Sequence, residues 1–303
     1  MRSSSDPLAD FLRDRRESLR PESVGVQTID RRRVRGLRRT EVAERAGISA
    51  DYYLRLEQGR GHQPSEQVLR GLCRALMLDI HGSAHLERLA RLGSGSPSPA
   101  AGDDVPDGVI KLLAARPDAP AYLSNAAGDI VAVNASAHLL APESLAPGVN
   151  LVTSIFLHYP DPHSEPHWRR AATNAVAALR YHADPRSPRL RELVAELSAS
   201  DPRFLPIWNR CEVRPLTSSR PLFLVEPHGW VTLRAEPFAV SGASGYTLTH
   251  FFAEPGTPGA VALQDLTDRV RGVGTMVAPL LAVAAGVGQS AGALSSLDER
   301  NRR

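Results

Sequence analysis

The chain has 303 residues, 42% of them apolar, a formal net charge of +3 and two cysteines. That length leaves room for two domains of about 100–200 residues each, and the composition is that of a soluble globular protein. Cys73 and Cys211 lie too far apart for a metal or disulfide framework, Met1 to Arg20 is too charged for a signal peptide, and no apolar run reaches the roughly 20 residues that cross a bilayer. A cytoplasmic chain with no membrane association is the expectation.

Leu8, Phe11, Leu12 and Leu19 share one face of Asp6 to Leu19 and predict a first helix. Residues 20–36 read as a loop with Pro21, Gly25 and Gly36. Arg31, Arg32, Arg33, Arg35, Arg38 and Arg39 crowd this approach with only Asp30 against them. Arg38 to Gly59 (R-R-T-E-V-A-E-R-A-G-I-S-A-D-Y-Y-L-R-L-E-Q-G) then predicts two short helices and a tight turn. Val42, Ala43 and Ala46 form a narrow apolar face, and Ile48, Tyr53 and Leu56 carry it across the break. Gly47 stands where the first helix ends, because glycine enters the left-handed region without steric cost. Ser49 is a good N-cap for the second. Small residue, glycine break, cap and second helix are the order of a helix-turn-helix.

In such a unit the second helix enters the major groove of double-stranded DNA with its N-terminal residues against base edges. The outward positions are Ser49, Ala50, Asp51, Leu54, Arg55 and Gln58. Arg55 carries the donor pair that reads guanine, and Asp51 can accept from cytosine. Tyr52 and Ser49 suit phosphate oxygens, and Arg39 suits the sugar-phosphate backbone. An isolated arginine run is most often a solvated loop; beside this motif, Arg31, Arg32 and Arg33 read as an electrostatic footprint for phosphates. Charge is distributed accordingly: residues 1–92 hold 18 arginines against 13 acidic groups, a net +5, and the remainder is at −2.

Ser65 to Met77 and His81 to Leu92 predict a fourth and fifth helix, and Gly93 to Gly102 (G-S-G-S-P-S-P-A-A-G) is a flexible linker without core-forming residues. The expected layout is a DNA-binding domain at 1–92, the linker at 93–102, a second domain at 103–266 and a tail at 267–303. In the second domain, helices are expected at Val109–Ala114, Asn134–Leu140, Leu151–Phe156, Trp168–Tyr181, Arg189–Ser198 and Asp201–Trp208. Strands are expected at Ala121–Leu123, Asp129–Asn134, Pro221–Val225, Trp230–Ala235 and Tyr246–Phe252. That order is α+β. The tail holds T-M-V-A-P-L-L-A-V-A-A-G-V-G, too short to span a membrane; a helix on the core, a dimer contact and an unstructured end stay open for it.

These strings resemble the MmyB-like regulators, a branch of the lambda-repressor-like (Xre-type) bacterial transcription factors. D-Y-Y-L-R-L-E-Q-G-R, Asp51 to Arg60, is the most specific of them, and D-I-V-A-V-N-A-S-A, N-L-V-T-S-I-F-L, H-W-R-R-A-A, I-W-N-R-C-E-V and A-E-P-G-T-P extend the likeness to about residue 266. The resemblance implies an all-α, five-helix DNA-binding domain followed by an α+β, PAS-like ligand-binding domain. It also implies an internal ion pair between Arg16 and Glu57, which makes Glu57 structural, and a fatty-acid-like or other apolar ligand. Val133 and Cys211 depart from the family pattern, which has tryptophan and histidine there, and both departures are expected to reshape a pocket.

Tyr122, Asn134, Phe156, Trp168, Arg180 and Trp208 are the candidate pocket residues, since aromatics with a few polar groups make small-molecule sites. Each aromatic taken alone is more often core. Arg180 or Arg210 would anchor a carboxylate through two bonds. His158, Asp161, His163, Glu165 and His167 are metal-ligand types, but three prolines make their segment a loop rather than a helix of fixed spacing. No G-x-S-x-G, Walker or H-E-x-x-H motif occurs, and Gly286, Gly288 and Gly292 are spaced one residue too widely for a dinucleotide loop. No catalytic residue, metal or cofactor is expected. The expectation is a homodimeric regulator, not an enzyme, that binds DNA and answers to a small apolar or acidic ligand through dimer geometry. The rivals are a ligand-independent regulator whose second domain serves dimerisation or protein interaction, and an enzyme tethered to DNA.

Overall fold

Asp6 starts the first helix: its carboxylate accepts from the Leu8 amide at 3.0 Å, and Pro7 occupies the first turn, where no N–H is required. In the computed structural model, which describes residues 6–25, 36–60, 63–93, 105, 107–157, 165–243, 245–273 and 282–283, this helix, α1, runs Pro7–Ser18 and buries Leu8, Phe11 and Leu12. A 3-10 turn at Pro21–Val24 follows, then α2 (Arg39–Ala46), α3 (Ala50–Glu57), α4 (Glu66–Ala75) and α5 (Ile80–Gly93). Helix α1 packs on α3 and α5, α2 on α3 and α4, and α4 on α5. Tyr53, Leu12, Leu37, Leu72, Leu76 and Leu86 are fully buried between them. Gly71 permits the α2–α4 crossing, because a Cβ there would lie 2.3 Å from the Ala46 carbonyl oxygen.

The chain continues as α6 (Asp107–Ala115), β1 (Ala121–Ser124), β2 (Ile130–Val133), α7 (Ala135–Leu140), α8 (Leu151–Leu157), α9 (Glu165–His182), α10 (Pro188–Ser200) and α11 (Phe204–Trp208). Then come β3 (Leu222–Val225), β4 (Gly229–Thr232), β5 (Arg234–Ala239), β6 (Thr247–Phe252), α12 (Pro258–Val273) and β7 (Ala282–Val283). The order β5-β6-β1-β2-β7 makes one sheet, antiparallel throughout, and β3-β4 a separate hairpin. One face of the sheet meets α6 through Leu123, Ala132, Leu113 and Ile110. The other carries Tyr122, Val133 and Phe251 against Leu140, Val231, Ala262 and Leu266.

Two expectations change. Trp230–Ala235 is not one strand: β4 pairs with β3 and β5 with β6, so the alternating run breaks at Leu233 where its partner changes. The expected tail at 267 begins instead inside α12, where Thr267 Oγ1 donates to the Asp118 carbonyl at 3.1 Å and Arg271 pairs with the Asp118 carboxylate at 3.0 Å. Further along, Ala282 and Val283 pair with Val133 and Ala132 of β2.

The chain forms two compact units, Met1–Ser98 with Ala172–Pro215 and Pro99–Ala171 with Leu216–Arg303. Residues 172–215 group with the first five helices. Val213 joins their apolar cluster and Tyr181 packs at its edge. The linker positions 94–102 lie outside the described residues.

Candidate nucleic-acid interface

The turn forms for the reason the sequence supplies. Gly47 has φ +72°, and its amide reaches the Ala43 and Glu44 carbonyls, ending α2. Ser49 then enters with extended backbone, and its hydroxyl accepts from the Tyr52 amide at 3.1 Å. At the start of α2, the Glu41 carboxylate takes the Arg38 amide at 2.7 Å. Val42, Ala43, Ala46, Tyr53 and Leu56 are buried.

On α3 the outward face is Ser49, Ala50, Asp51, Arg55 and Gln58, all exposed. Leu54 is half-buried. Tyr52 is half-buried too, and packs against the apolar cluster. Asp51 and Arg55 are one turn apart and form an ion pair at 3.1 Å. Arg31, Arg32 and Arg33 lie outside the described residues.

The Arg16–Glu57 pair is present and deeply buried, at 2.5 Å with 4% and 1% of the side chains exposed. Arg39 also reaches Glu57, at 2.6 Å, and is itself half-exposed. Sequence reasoning assigned Arg39 to the DNA backbone alone and did not place Arg13, whose guanidinium donates to the Glu57 carbonyl at 2.8 Å. Burial acts to raise the Glu57 carboxyl, but the hydrogen bonds from Arg16 and Arg39 outweigh it and hold the group below its ordinary value. The end of α3 is thereby fixed from α1 and α2.

The candidate pocket residues divide between the two units. Tyr122, Asn134, Phe156 and Trp168 belong to the second. Asn134 caps α7: its Oδ1 accepts from the Ala121 and Ala137 amides, and its Nδ2 donates to the Arg116 and Ala119 carbonyls. Trp168 Nε1 donates to the Ile155 carbonyl at 2.8 Å, with its ring edge-on to Phe156. Tyr122 is buried against Phe251, and burial raises its phenol. Arg180 and Trp208 belong to the first unit. The Arg180 guanidinium lies 3.9 Å over the Trp208 ring and donates to the Trp208 carbonyl at 3.0 Å. The two departures separate as well: Val133 is in the sheet core of the second unit, and Cys211 is buried in the first, where burial pushes its thiol up to about 11.

In the second unit a shallow depression of about 500 Å³ is lined by α12 and by His228 of the β3–β4 turn. It includes none of the candidate pocket residues. Among the described residues no three His, Cys, Asp or Glu side chains gather as a metal site, and no helix is long and apolar enough to cross a membrane. His158, Asp161 and His163 lie outside those residues.

A helix-turn-helix domain model matches residues 7–86, and the model of the MmyB-like transcription regulator ligand binding domain matches residues 105–266. No curated protein matches the chain. The first match spans α1 to α5 with their capped turn, and the second takes in more than half of the chain. The chain therefore belongs to the MmyB-like transcription regulators, DNA-binding proteins that carry a ligand-binding domain.

Proposed function

We propose that the chain regulates transcription as a homodimer, with α3 reading operator DNA and the second region binding a small apolar or acidic molecule. The observation that carries the reading is the α3 surface: Ser49, Ala50, Asp51, Arg55 and Gln58 stand exposed at the capped start and outer face of a helix whose other side is locked by Glu57. Arg55 reads guanine, held in line by Asp51, and Gln58 and Ser49 flank it. Leu54 and the ring edge of Tyr52 supply apolar contact. Arg39 meets the backbone with the face it does not turn to Glu57, and the arginines at 31–33 add phosphate contacts. Two copies on a two-fold site place two such helices one turn of DNA apart.

Selection from randomised duplex DNA with the purified full-length chain tests the reading. A two-fold motif is expected, and Arg55→Ala should lower affinity by roughly 1–3 kcal/mol while relaxing preference at one position in each half-site. Recovery of no preferred sequence, or an Arg55→Ala variant with unchanged preference, would remove α3 as the reader. Mass spectrometry of solvent extracts from the same preparation separates the ligand readings. A stoichiometric apolar or acidic small molecule supports sensing, and clean extracts together with sequence-specific binding favour the ligand-independent regulator.

A further inference from the structure

We infer that residues 172–215, although matched by the ligand-binding model, act as a clamp on the DNA-binding helices, and that closure of this clamp sets DNA affinity. The inference rests on the reading of the chain as a DNA-binding regulator and adds the route by which a signal reaches α3.

His81, His85 and Arg88 follow one another at helical spacing along a single stripe of α5. A five-helix domain standing alone would turn so polar a stripe to water. Here His85 is only 4% exposed. The Phe11 ring of α1 meets His85 edge-on at 5.0 Å, and the end of α9 covers the stripe on either side of it: Tyr181 meets the His81 ring edge-on at 6.1 Å, and Arg88, 3.1 Å from His85 Nδ1, donates to the Ala183 carbonyl at 3.4 Å. The clamp is itself tied together, by Arg180 stacked on Trp208 and by the Arg214 amide on the Ala177 carbonyl at 3.3 Å.

The chemistry of the joint suits a part that opens. Val213 adds an apolar anchor, but most of the cover is imidazole, guanidinium and phenol, groups that water solvates readily once exposed. Polar interfaces of this kind permit motion where apolar ones resist it. Helix α9 also supplies an input. The boundary between the units falls inside it, between Ala171 and Ala172. Its first turns are held on the other side by Trp168, bonded to the Ile155 carbonyl of α8. A change in α8 therefore reaches Tyr181 along one continuous helix. Dimer geometry, the route expected from the flexible linker, is not required.

Hydrogen exchange on the full-length chain tests the clamp. Tyr181→Ala and Arg88→Ala are each expected to speed exchange at least tenfold in α5 and in 172–182 together, leaving β1 and β6 at wild-type rates. Both should change affinity for the selected DNA severalfold. Tyr181→Phe keeps the ring and should match wild type, which separates opening from misfolding. Exchange that rises only in the segment carrying the substitution would overturn the clamp, as would joint opening with unchanged DNA affinity. A wild-type chain that selects no DNA while the two segments still open together would instead overturn the regulator reading.

Discussion

Glu57 ties the end of α3 to α1 and α2. Its carboxylate meets Arg16 and Arg39, and its carbonyl takes Arg13. The two ion pairs differ in kind. Arg16 is buried, so removing Glu57 leaves its guanidinium in the interior with only the largely exposed Glu17 carboxylate and the Leu37 carbonyl as partners, whereas Arg39 can turn to solvent. Glu57→Ala should therefore cost about 3–5 kcal/mol, and Arg39→Ala no more than about 1 kcal/mol, in urea unfolding followed by helical circular dichroism. Equal costs would show that the buried pair is not the anchor. Because the folded carboxyl is held below its ordinary value, its stabilisation is complete above the unfolded value and is lost as pH falls through the folded one. Sequence reasoning saw half of this. The Arg16–Glu57 pair followed from the family resemblance, but Arg39 lies eighteen residues from Glu57 and becomes its neighbour only when α2 and α3 fold together.

Among the elements, α2 and α4 cross most tightly, and Gly71 is the reason. A methyl group there meets the Ala46 carbonyl at 2.3 Å, backbone that cannot rotate away. Alanine would gain about 1 kcal/mol of helix propensity over glycine, and the clash exceeds it. Gly71→Ala is expected to lower stability by about 1–3 kcal/mol net, read as a drop in thermal midpoint; a rise would mean that the helices part at no cost. Elements with strong local signals were legible in the sequence. Gly47 and Ser49 announced their turn through glycine conformation and side-chain capping, both local properties. The division of Trp230–Ala235 into β4 and β5 was not legible, because alternation reports burial and not which strand is the partner. Helix α12 escaped notice although Ala262, Leu266 and Val270 repeat every four residues on its buried side. Its onset follows an E-P-G-T-P turn, where breaker residues conceal a helix start. Asn134 and Trp168 have their polar groups bonded within the fold, a fact that residue type alone does not carry.

For the molecule as a whole, the joint around α5 gives stability a pH dependence. Burial lowers His85 to about 3, with Arg88 and Arg180 adding to it, and burial with Arg88 lowers His182 to about 4. The ring of Phe11 in α1 faces His85 as well and offers no charge. Both folded values lie below the ordinary 6.5, so the unfolded chain takes up protons first. The stabilisation is full above about pH 6.5 and shrinks as pH falls towards the folded values. Between pH 7 and pH 5 His85 alone should cost roughly 2 kcal/mol. Thermal unfolding at the two pH values is expected to show that loss together with a similar one from His182, and His85→Gln to remove about half of the total; equal midpoints for the wild type would mean that the imidazoles are not held neutral.

The chain passes from one unit to the other after Ser98, after Ala171 and again after Pro215. A regulator built from two beads on a string can trade its DNA-reading half for another by a single cut. Here such a cut is expected to fail. Cutting after residue 98 would strip from the first five helices Val213, a member of their apolar cluster, and the α9 groups that meet His81 and Arg88. An exchange of operator specificity between relatives would have to carry 1–98 and 172–215 together, or confine itself to the outer face of α3. The interleaving restricts how such a protein can be recombined, in the laboratory as in descent; under the proposed function it leaves point changes at Asp51, Arg55 and Gln58 as the open road to a new operator.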